Sequence, residues 1–414
     1  MTKIFRKILP LTMAVLLLCS WALPAMAETI DVTAFTIDES DPQQTVVIWD
    51  SSADAVLRAE AEAGYPATMT IDCKFETAHV VYGDDETPIT SYITTQDGVR
   101  KINFDLPGAG VYTIREGSAY SLAIYGANMI LGNELAMNFY VTRASVDALE
   151  NKENLSIRVI KTYADGRADV VKDYTFSQWQ PYSDTYYRVT FNDISAKEMS
   201  DEIFVQIFDG STAVSDLWVD SVRAYAERTL DAEDEIPEVR TLVVDMLNYG
   251  AAAQKQFRYG LNDLANSTLT DEERALATSS VTMESHRIKG QNYYGTNLNL
   301  ASSISLGLFF RNLTREMTAE VSYTNAIGEA KTFTVSGADF IHYSGSIYRV
   351  MVNTLSVKDC GSLVTCTVKD SEGNTVATAT DSVEGWVARN TTNTEINGAI
   401  MKFAASAAAY EATK

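Results

Sequence analysis

A segment that recurs 161 residues later limits what this 414-residue chain can fold into. Asp220-Ser221-Val222-Arg223-Ala224-Tyr225-Ala226-Glu227-Arg228 matches Asp381-Ser382-Val383-Glu384-Gly385-Trp386-Val387-Ala388-Arg389. The same offset runs upstream without a gap, through Tyr187-Arg188-Val189 against Tyr348-Arg349-Val350 and Ile194-Ser195-Ala196-Lys197 against Leu355-Ser356-Val357-Lys358. Further upstream the offset becomes 169, where Gly126, Asn128, Leu131 and Leu135 meet Gly295, Asn297, Leu300 and Ile304, so the second copy is shorter by a loop. Self-similarity on this scale means one supersecondary plan used twice. It predicts two homologous units, residues 119–260 and 289–414, with residues 261–288 as a linker.

The periodicities agree between the copies. Leu135, Met137, Phe139 and Val141 alternate with polar or small positions, as do Ile304, Leu306, Leu308 and Phe310, so each copy begins with a half-buried strand. Leu155, Ile157 and Val159 predict a second strand; Tyr186 to Phe191 and Ile203 to Phe208 predict two more, with tight turns at Asp165-Gly166, Asp209-Gly210 and Glu372-Gly373. The period then becomes helical. Ser221 or Ser382 can cap a short helix, and Val239, Leu242, Met246, Tyr249, Ala253 and Phe257 define a longer one, whose counterpart carries Ile396, Ile400, Phe403, Ala407 and Tyr410. Pro237 suits the first turn of the longer helix and Gly260 its end, while Thr392 with Glu395 reads as a capping box. The linker reads as polar and mobile, with a short helix at Thr270-Asp271-Glu272-Glu273.

Residues 28–118 are different: 17 acidic against 5 basic residues, where residues 289–414 carry 11 against 10. Alternating segments at Val46 to Trp49, Met69 to Cys73, Val80 to Tyr82, Val99 to Phe104 and Val111 to Ile114 predict a β-sandwich, with a helix near Asp54 to Ala63. The expected fold class is therefore β-rich α+β. An N-terminal acidic β-sandwich-like domain precedes two units, each an antiparallel sheet or sandwich with two C-terminal helices. Residues 1–27 have a basic start (Lys3, Arg6, Lys7), an apolar run from Ile8 to Leu23 and the small-residue site Ala25-Met26-Ala27, the pattern of a cleaved signal peptide. The mature chain is expected to begin at Glu28, outside the cell or non-covalently at its surface, with no integral membrane segment.

Net charge is −22, and a surface that acidic disfavours nucleic acid as a partner. Three histidines and four cysteines leave few ligands for a metal centre or a His-based triad, and no cofactor is expected. Signal cleavage leaves Cys73, Cys360 and Cys366, an odd set in which at least one thiol lacks a partner within the chain. Cys360 and Cys366 face Met199 and Val205 of the first copy and so read as apolar positions; they could bridge only if Gly361-Ser362 turns the chain. Carboxylates are abundant, but glycoside hydrolysis needs two of them about 5 to 10 Å apart, one raised in pKa by burial, and sequence spacing does not show such a pair. Aromatics cluster at Trp179, Tyr182, Tyr186 and Tyr187, with Phe340, Tyr343 and Tyr348 at the matching places. Tyr187 and Tyr348 fall in strands and read as core. Trp179, Tyr182 and Tyr343 fall near a loop, where an exposed flat ring can stack on the apolar face of a sugar.

Two resemblances accompany these readings. Leu106-Pro107-Gly108-Ala109-Gly110-Val111-Tyr112-Thr113-Ile114-Arg115-Glu116 resembles the closing strand of collagen-adhesin B-type and pilin domains of Gram-positive surface proteins. In that family the glutamate catalyses a Lys to Asn isopeptide bond. Glu116 matches the glutamate, but the only lysines of residues 28–118 are Lys74 and Lys101, neither on the first strand. Ser221 to Ala226 followed by Met246-Leu247-Asn248-Tyr249-Gly250-Ala251-Ala252-Ala253-Gln254 is similar to a repeat module of exported proteins of clostridia-like bacteria, without established activity. The resemblance implies an exported, surface-associated role across residues 120–414. Together these features predict a secreted, non-enzymatic binding or structural protein whose partner is a glycan, a cell-wall polymer or another surface protein. The alternatives are a dedicated carbohydrate-binding protein and a glycoside hydrolase.

Overall fold

The computed structural model describes residues 35–49, 67–96, 99–132, 134–232, 235–300 and 303–414. The expected signal peptide and the helix near Asp54 to Ala63 lie outside the described residues. The described chain is β-rich, with antiparallel sheets and six α-helices, none long and apolar enough to cross a membrane. It divides into two compact units: Met1–Asn128, Asn138–Thr190 and Asp201–Ser221 in one, Met129–Met137, Phe191–Ser200 and Val222–Lys414 in the other.

The first unit opens with eight strands: β1 (Phe35–Asp38), β2 (Gln44–Trp49), β3 (Ala67–Asp72), β4 (Ala78–Tyr82), β5 (Thr87–Ile89), β6 (Ser91–Gln96), β7 (Val99–Leu106) and β8 (Gly110–Glu116). They form a five-stranded sheet in the order β1-β2-β8-β4-β5 and a three-stranded sheet in the order β3-β7-β6. The apolar members of the alternating patterns from both sheets, among them Val47, Val80, Tyr112 and Ile114 with Met69, Ile102 and Phe104, share one core. Phe104 and Tyr112 meet across it with ring centroids 5.6 Å apart. The Tyr112 hydroxyl donates to the Gly108 carbonyl, and that of Tyr82 to the Ala109 carbonyl at 2.8 Å, which pins the Pro-Gly-Ala-Gly bend ahead of β8. Glu116 is exposed at the end of β8, opposite Ala78. Lys101 pairs with Asp72, and Lys74 donates to the carbonyls of Asp41 and Gln44, so the residues for the adhesin-type cross-link are not assembled.

Next come β9 (Ile124–Leu131), β10 (Leu135–Thr142), α1 (Arg143–Asp147), β11 (Leu155–Lys161), β12 (Val170–Thr175), β13 (Gln180–Pro181), β14 (Tyr186–Ile194), β15 (Ile203–Asp209), β16 (Thr212–Ala213) and β17 (Trp218–Asp220). One sheet has the order β13-β14-β10-β9, and a second runs β12-β11-β15-β16 with β17 also on β15.

The second unit contains α2 (Val222–Asp231), α3 (Pro237–Phe257), α4 (Asp271–Arg274), β18 (Ile288–Lys289), β19 (Tyr293–Asn299), β20 (Ser305–Phe310), β21 (Thr318–Thr324), β22 (Ala330–Ser336), β23 (Ile341–Ser344), β24 (Ile347–Val352), β25 (Val364–Lys369), β26 (Thr375–Asp381), α5 (Val383–Arg389) and α6 (Thr394–Glu411). Its sheets run β19-β20-β24-β23 and β18-β26-β25-β21-β22. The long helices α3 and α6 pack on each other, with Tyr249 and Phe403 stacked at 5.9 Å. Gly250 has no room for a side chain, because a Cβ there would run into Met199 and Ala265.

Three local expectations need correction. The residues after α3 are anchored rather than mobile: Ala265 and Leu269 are buried, and the Gln254 amide accepts from the Ala265 backbone N–H at 2.7 Å and donates to the Asp263 carbonyl at 2.9 Å. A polar composition hid this because a buried side-chain amide does the anchoring. Helix α3 ends at Phe257, with Arg258 in the left-handed conformation (φ 54°), before Gly260 is reached. Thr392 does not cap α6, whose N-cap is Asn393. Glu395, the other half of the expected box, is instead bound by Lys255 at 2.7 Å.

Cys360 and Cys366 are both buried free thiols, and Cys73 is a free, half-buried one. Burial pushes the Cys366 thiol up to about 12 and raises that of Cys360 as well. Thiolate is the reactive form. Iodoacetamide at neutral pH is therefore expected to leave Cys360 and Cys366 unmodified in the folded protein and to label both in urea. Native-state labelling at the rate of a peptide thiol would contradict their placement.

Candidate functional site: two aromatic and arginine faces

Trp179 departs from the expectation of an exposed ring. It is 5% exposed. Thr175 and Gln178 close a capping box around the 3-10 turn Phe176–Gln178, and this turn folds the following residue inward. The Trp179 indole N–H donates to the Tyr174 carbonyl at 2.9 Å, and its ring meets Phe176 at 5.4 Å and Tyr187 at 6.3 Å, both edge-on. An indole held in this way is core and cannot act as a platform. Phe340, 161 residues later, is buried too.

Tyr182 is 53% exposed and Tyr343 59% exposed. Each belongs to a larger cluster. In the first unit Tyr182 lies 5.1 Å from Tyr140 of β10, Tyr140 lies 6.0 Å from Tyr186 of β14, and Tyr186 lies 5.0 Å from Tyr125 of β9, all between ring centroids. The Arg188 guanidinium sits 5.1 Å over the Tyr182 ring and donates to the Gln180 side chain at 2.7 Å. Strand alternation explains the grouping: Tyr187, Val189 and Phe191 of β14 are buried, which sends Tyr186 and Arg188 to the other face. Below the rings, Asn138 donates to Asn128 at 2.8 Å and accepts from Thr190 at 2.6 Å. Burial, with the neighbouring Tyr182 hydroxyl, raises the Tyr140 phenol.

In the second unit Tyr343 meets Phe309 of β20 at 5.1 Å and Tyr294 of β19 at 6.3 Å. The Arg349 guanidinium lies 5.7 Å from the Phe309 ring and that of Arg311 lies 5.0 Å from Tyr294. Both exposed tyrosines stand where a ladder slips by one residue: β19 against β20 between Tyr293 and Gly295, β23 against β24 between His342 and Ser344. A β-bulge of this kind re-aims the extra side chain, and here it turns two tyrosines out of the alternating pattern. Gly307 supplies the remaining space, since a Cβ there would clash with the Asn297 side chain and the stem of Arg349. At the 169- and 161-residue offsets Tyr125, Tyr140, Tyr182 and Arg188 correspond to Tyr294, Phe309, Tyr343 and Arg349. The sequence reading had found only Tyr182 and Tyr343 of these. The offsets carried the rest of the signal, since they put aromatic on aromatic and arginine on arginine.

A cavity of about 300 Å³ lies in the second unit and is lined by Asp245, Asn248, Lys255, Asn266, Glu395 and Lys402 among others. Its carboxylates are engaged: Asp245 accepts from the Thr278 backbone at 3.1 Å and hydroxyl at 2.5 Å, and Glu395 is paired with Lys255. Burial raises Asp105 to about 6 and also raises Asp169 and Asp216, none of which lines this cavity. Among the described residues no group of three or more His, Cys, Asp or Glu is placed to hold a metal ion.

No family model matches the chain, and neither does any curated protein. Among solved structures it is similar to the FN1-FN3 domains of chicken CNTN1, at 8% identity and a TM-score of 0.16, over 84% of this chain and 96% of that one. A tetra-tandem repeat in the extending region of a large adhesion protein matches at 11% identity and a TM-score of 0.16, over 85% and 74%. Likeness at such scores transfers no function. What remains on the molecule itself is a pair of exposed aromatic faces, each edged by arginine.

Proposed function

We propose that the chain is an exported, non-enzymatic binding protein in which residues 119–260 and 289–414 are two copies of one unit, each presenting a sugar-stacking face. The observation that carries this reading is the recurrence of the ring and arginine cluster at matching positions of two sheets with matching strand orders. An exposed ring stacks on the apolar C–H face of a pyranose while phenol hydroxyls and guanidinium N–H groups bond to the ring's hydroxyls. Burial of Trp179 narrows the contact set to Tyr182 with Tyr125, Tyr140 and Tyr186, and to Tyr343 with Tyr294. Glycan or cell-wall polymer is thus the partner class, and no catalytic residue is assigned.

Native gels cast with hydroxyethylcellulose, xylan or polygalacturonate test this. Wild-type protein is expected to be retarded in at least one of them. Tyr182→Ala and Tyr343→Ala should each weaken the retardation and the double variant abolish it, at a stability change below about 1 kcal/mol, because exposed rings contribute little to folding. A wild-type protein retarded by none, or a double variant retarded as wild type is, would overturn the reading.

A further inference from the structure

We infer that the face of the second unit is selective for an acidic sugar, a uronic acid whose carboxylate is held by Arg349 and Arg311. This rests on the stacking reading above and adds the chemistry of the substrate. Acidic residues outnumber basic ones by 55 to 33 in this chain, so a surface arginine would ordinarily find a carboxylate. Many do: Arg115 pairs with Glu86, Arg158 with Asp173, Arg223 with Asp263 and Arg389 with Asp381. Among the described residues neither Arg311 nor Arg349 forms an ion pair; both guanidinium groups lie over rings instead.

The polar atoms beneath that face are also left over. The Arg349 Nε and the Asn297 Oδ1 are buried without a hydrogen-bond partner. In the first unit Asn138 fills the place of Gly307 and satisfies Asn128, although the Arg188 Nε and the Tyr140 hydroxyl there are likewise buried without a partner. A buried donor without an acceptor is costly; a ligand oxygen is the partner that the Arg349 guanidinium lacks, while the Asn297 Oδ1, an acceptor, calls for a sugar hydroxyl. A carboxylate suits a guanidinium best, because two parallel N–H groups can meet two oxygens. The local field permits it as well: residues 289–414 carry 11 acidic against 10 basic residues, so the chain's negative charge is concentrated elsewhere. Among the described residues the first face has one arginine over its rings, Arg188, whose Nη2 is bonded to Gln180, and its additional tyrosines favour hydroxyl-rich neutral sugars.

Three polymers separate the elements of the inference in low-salt native gels. Polygalacturonate carries sugar and carboxylate, its fully methyl-esterified form carries the same sugar without the charge, and poly-L-glutamate carries the charge without the sugar. The expected result is stronger retardation by polygalacturonate than by its ester and none by poly-L-glutamate, with apparent affinity for polygalacturonate falling about tenfold in Arg349→Met, as for loss of one bidentate charge-assisted contact. Arg311→Met is the second variant, exposed enough that folding is not at issue, and should weaken binding in the same direction. Equal retardation by polygalacturonate and its ester overturns the acidic-sugar inference while leaving stacking intact. Equal retardation by poly-L-glutamate overturns it as simple ion exchange. Retardation by xylan or hydroxyethylcellulose but not polygalacturonate also overturns it, and silence in every gel removes both the inference and the reading beneath it.

Discussion

Trp179→Ala is expected to lower stability by about 3 to 5 kcal/mol, the cost of removing a large ring from a packed core and leaving a cavity. Phe176 and Tyr187 lose their edge contacts, and the Tyr174 carbonyl loses its indole donor. Polysaccharide retardation measured at a temperature where the variant is still folded should remain at the wild-type level. Urea denaturation followed by tyrosine and tryptophan fluorescence, beside the native gel, reads both quantities. A variant as stable as wild type that no longer binds would return Trp179 to the binding face. The contrast with Tyr182→Ala is the informative part, because the two residues are close in sequence and are expected to act on different observables.

The second large effect is expected at Arg389. Its Nη2 reaches both Asp381 oxygens, at 2.6 and 2.7 Å, and its Nη1 donates to the His286 carbonyl at 3.1 Å. Asp381 is fully buried and otherwise accepts only from the Ser382 backbone N–H at 2.9 Å. Arg389→Met strands that carboxylate in a low-dielectric site, for an expected loss of about 3 to 5 kcal/mol. The double variant Asp381→Leu, Arg389→Met should lose clearly less, since the uncompensated charge is gone. Equilibrium urea unfolding of the three proteins checks the order. If the double variant is the less stable one, the pair contributes net attraction that outweighs its desolvation. Asp220 and Arg228 stand 161 residues before this pair, and Asp220 is buried as well.

Strands were the most legible part of the sequence, because alternation of buried and exposed residues is a direct consequence of the pleat. Leu155, Ile157 and Val159 are buried in β11 as that pattern requires. The segments at Leu135 and Ile304 are strands too, but β10 and β20 are buried along almost their whole length rather than half-buried, β20 starts at Ser305, and β9 and β19 precede them. Short elements escaped: β1, β5 and β6 carry too few apolar residues for periodicity to register. The binding face was legible only in part, for a physical reason. A β-bulge is an event of pairing between two strands, so the outward turn of Tyr294 and Tyr343 is written in the register and not in either strand alone. Trp179 misled in the opposite direction, since a residue next to a polar turn reads as exposed until the 3-10 turn is known to fold it back. The unpaired arginines were hidden by the overall charge, which is a sum over the chain and says nothing of where a given carboxylate lies.

The most direct test of the account is a ring-proton NMR titration of the intact mature protein with two defined oligosaccharides, xylohexaose and tetragalacturonate. The tyrosine resonances of Tyr182 or Tyr343, assigned by their disappearance in the alanine variants, are expected to shift with at least one oligosaccharide while the Trp179 indole signal stays in place. Shifts that appear at Trp179 and at neither tyrosine, or no shift at any ring with either oligosaccharide, would contradict it.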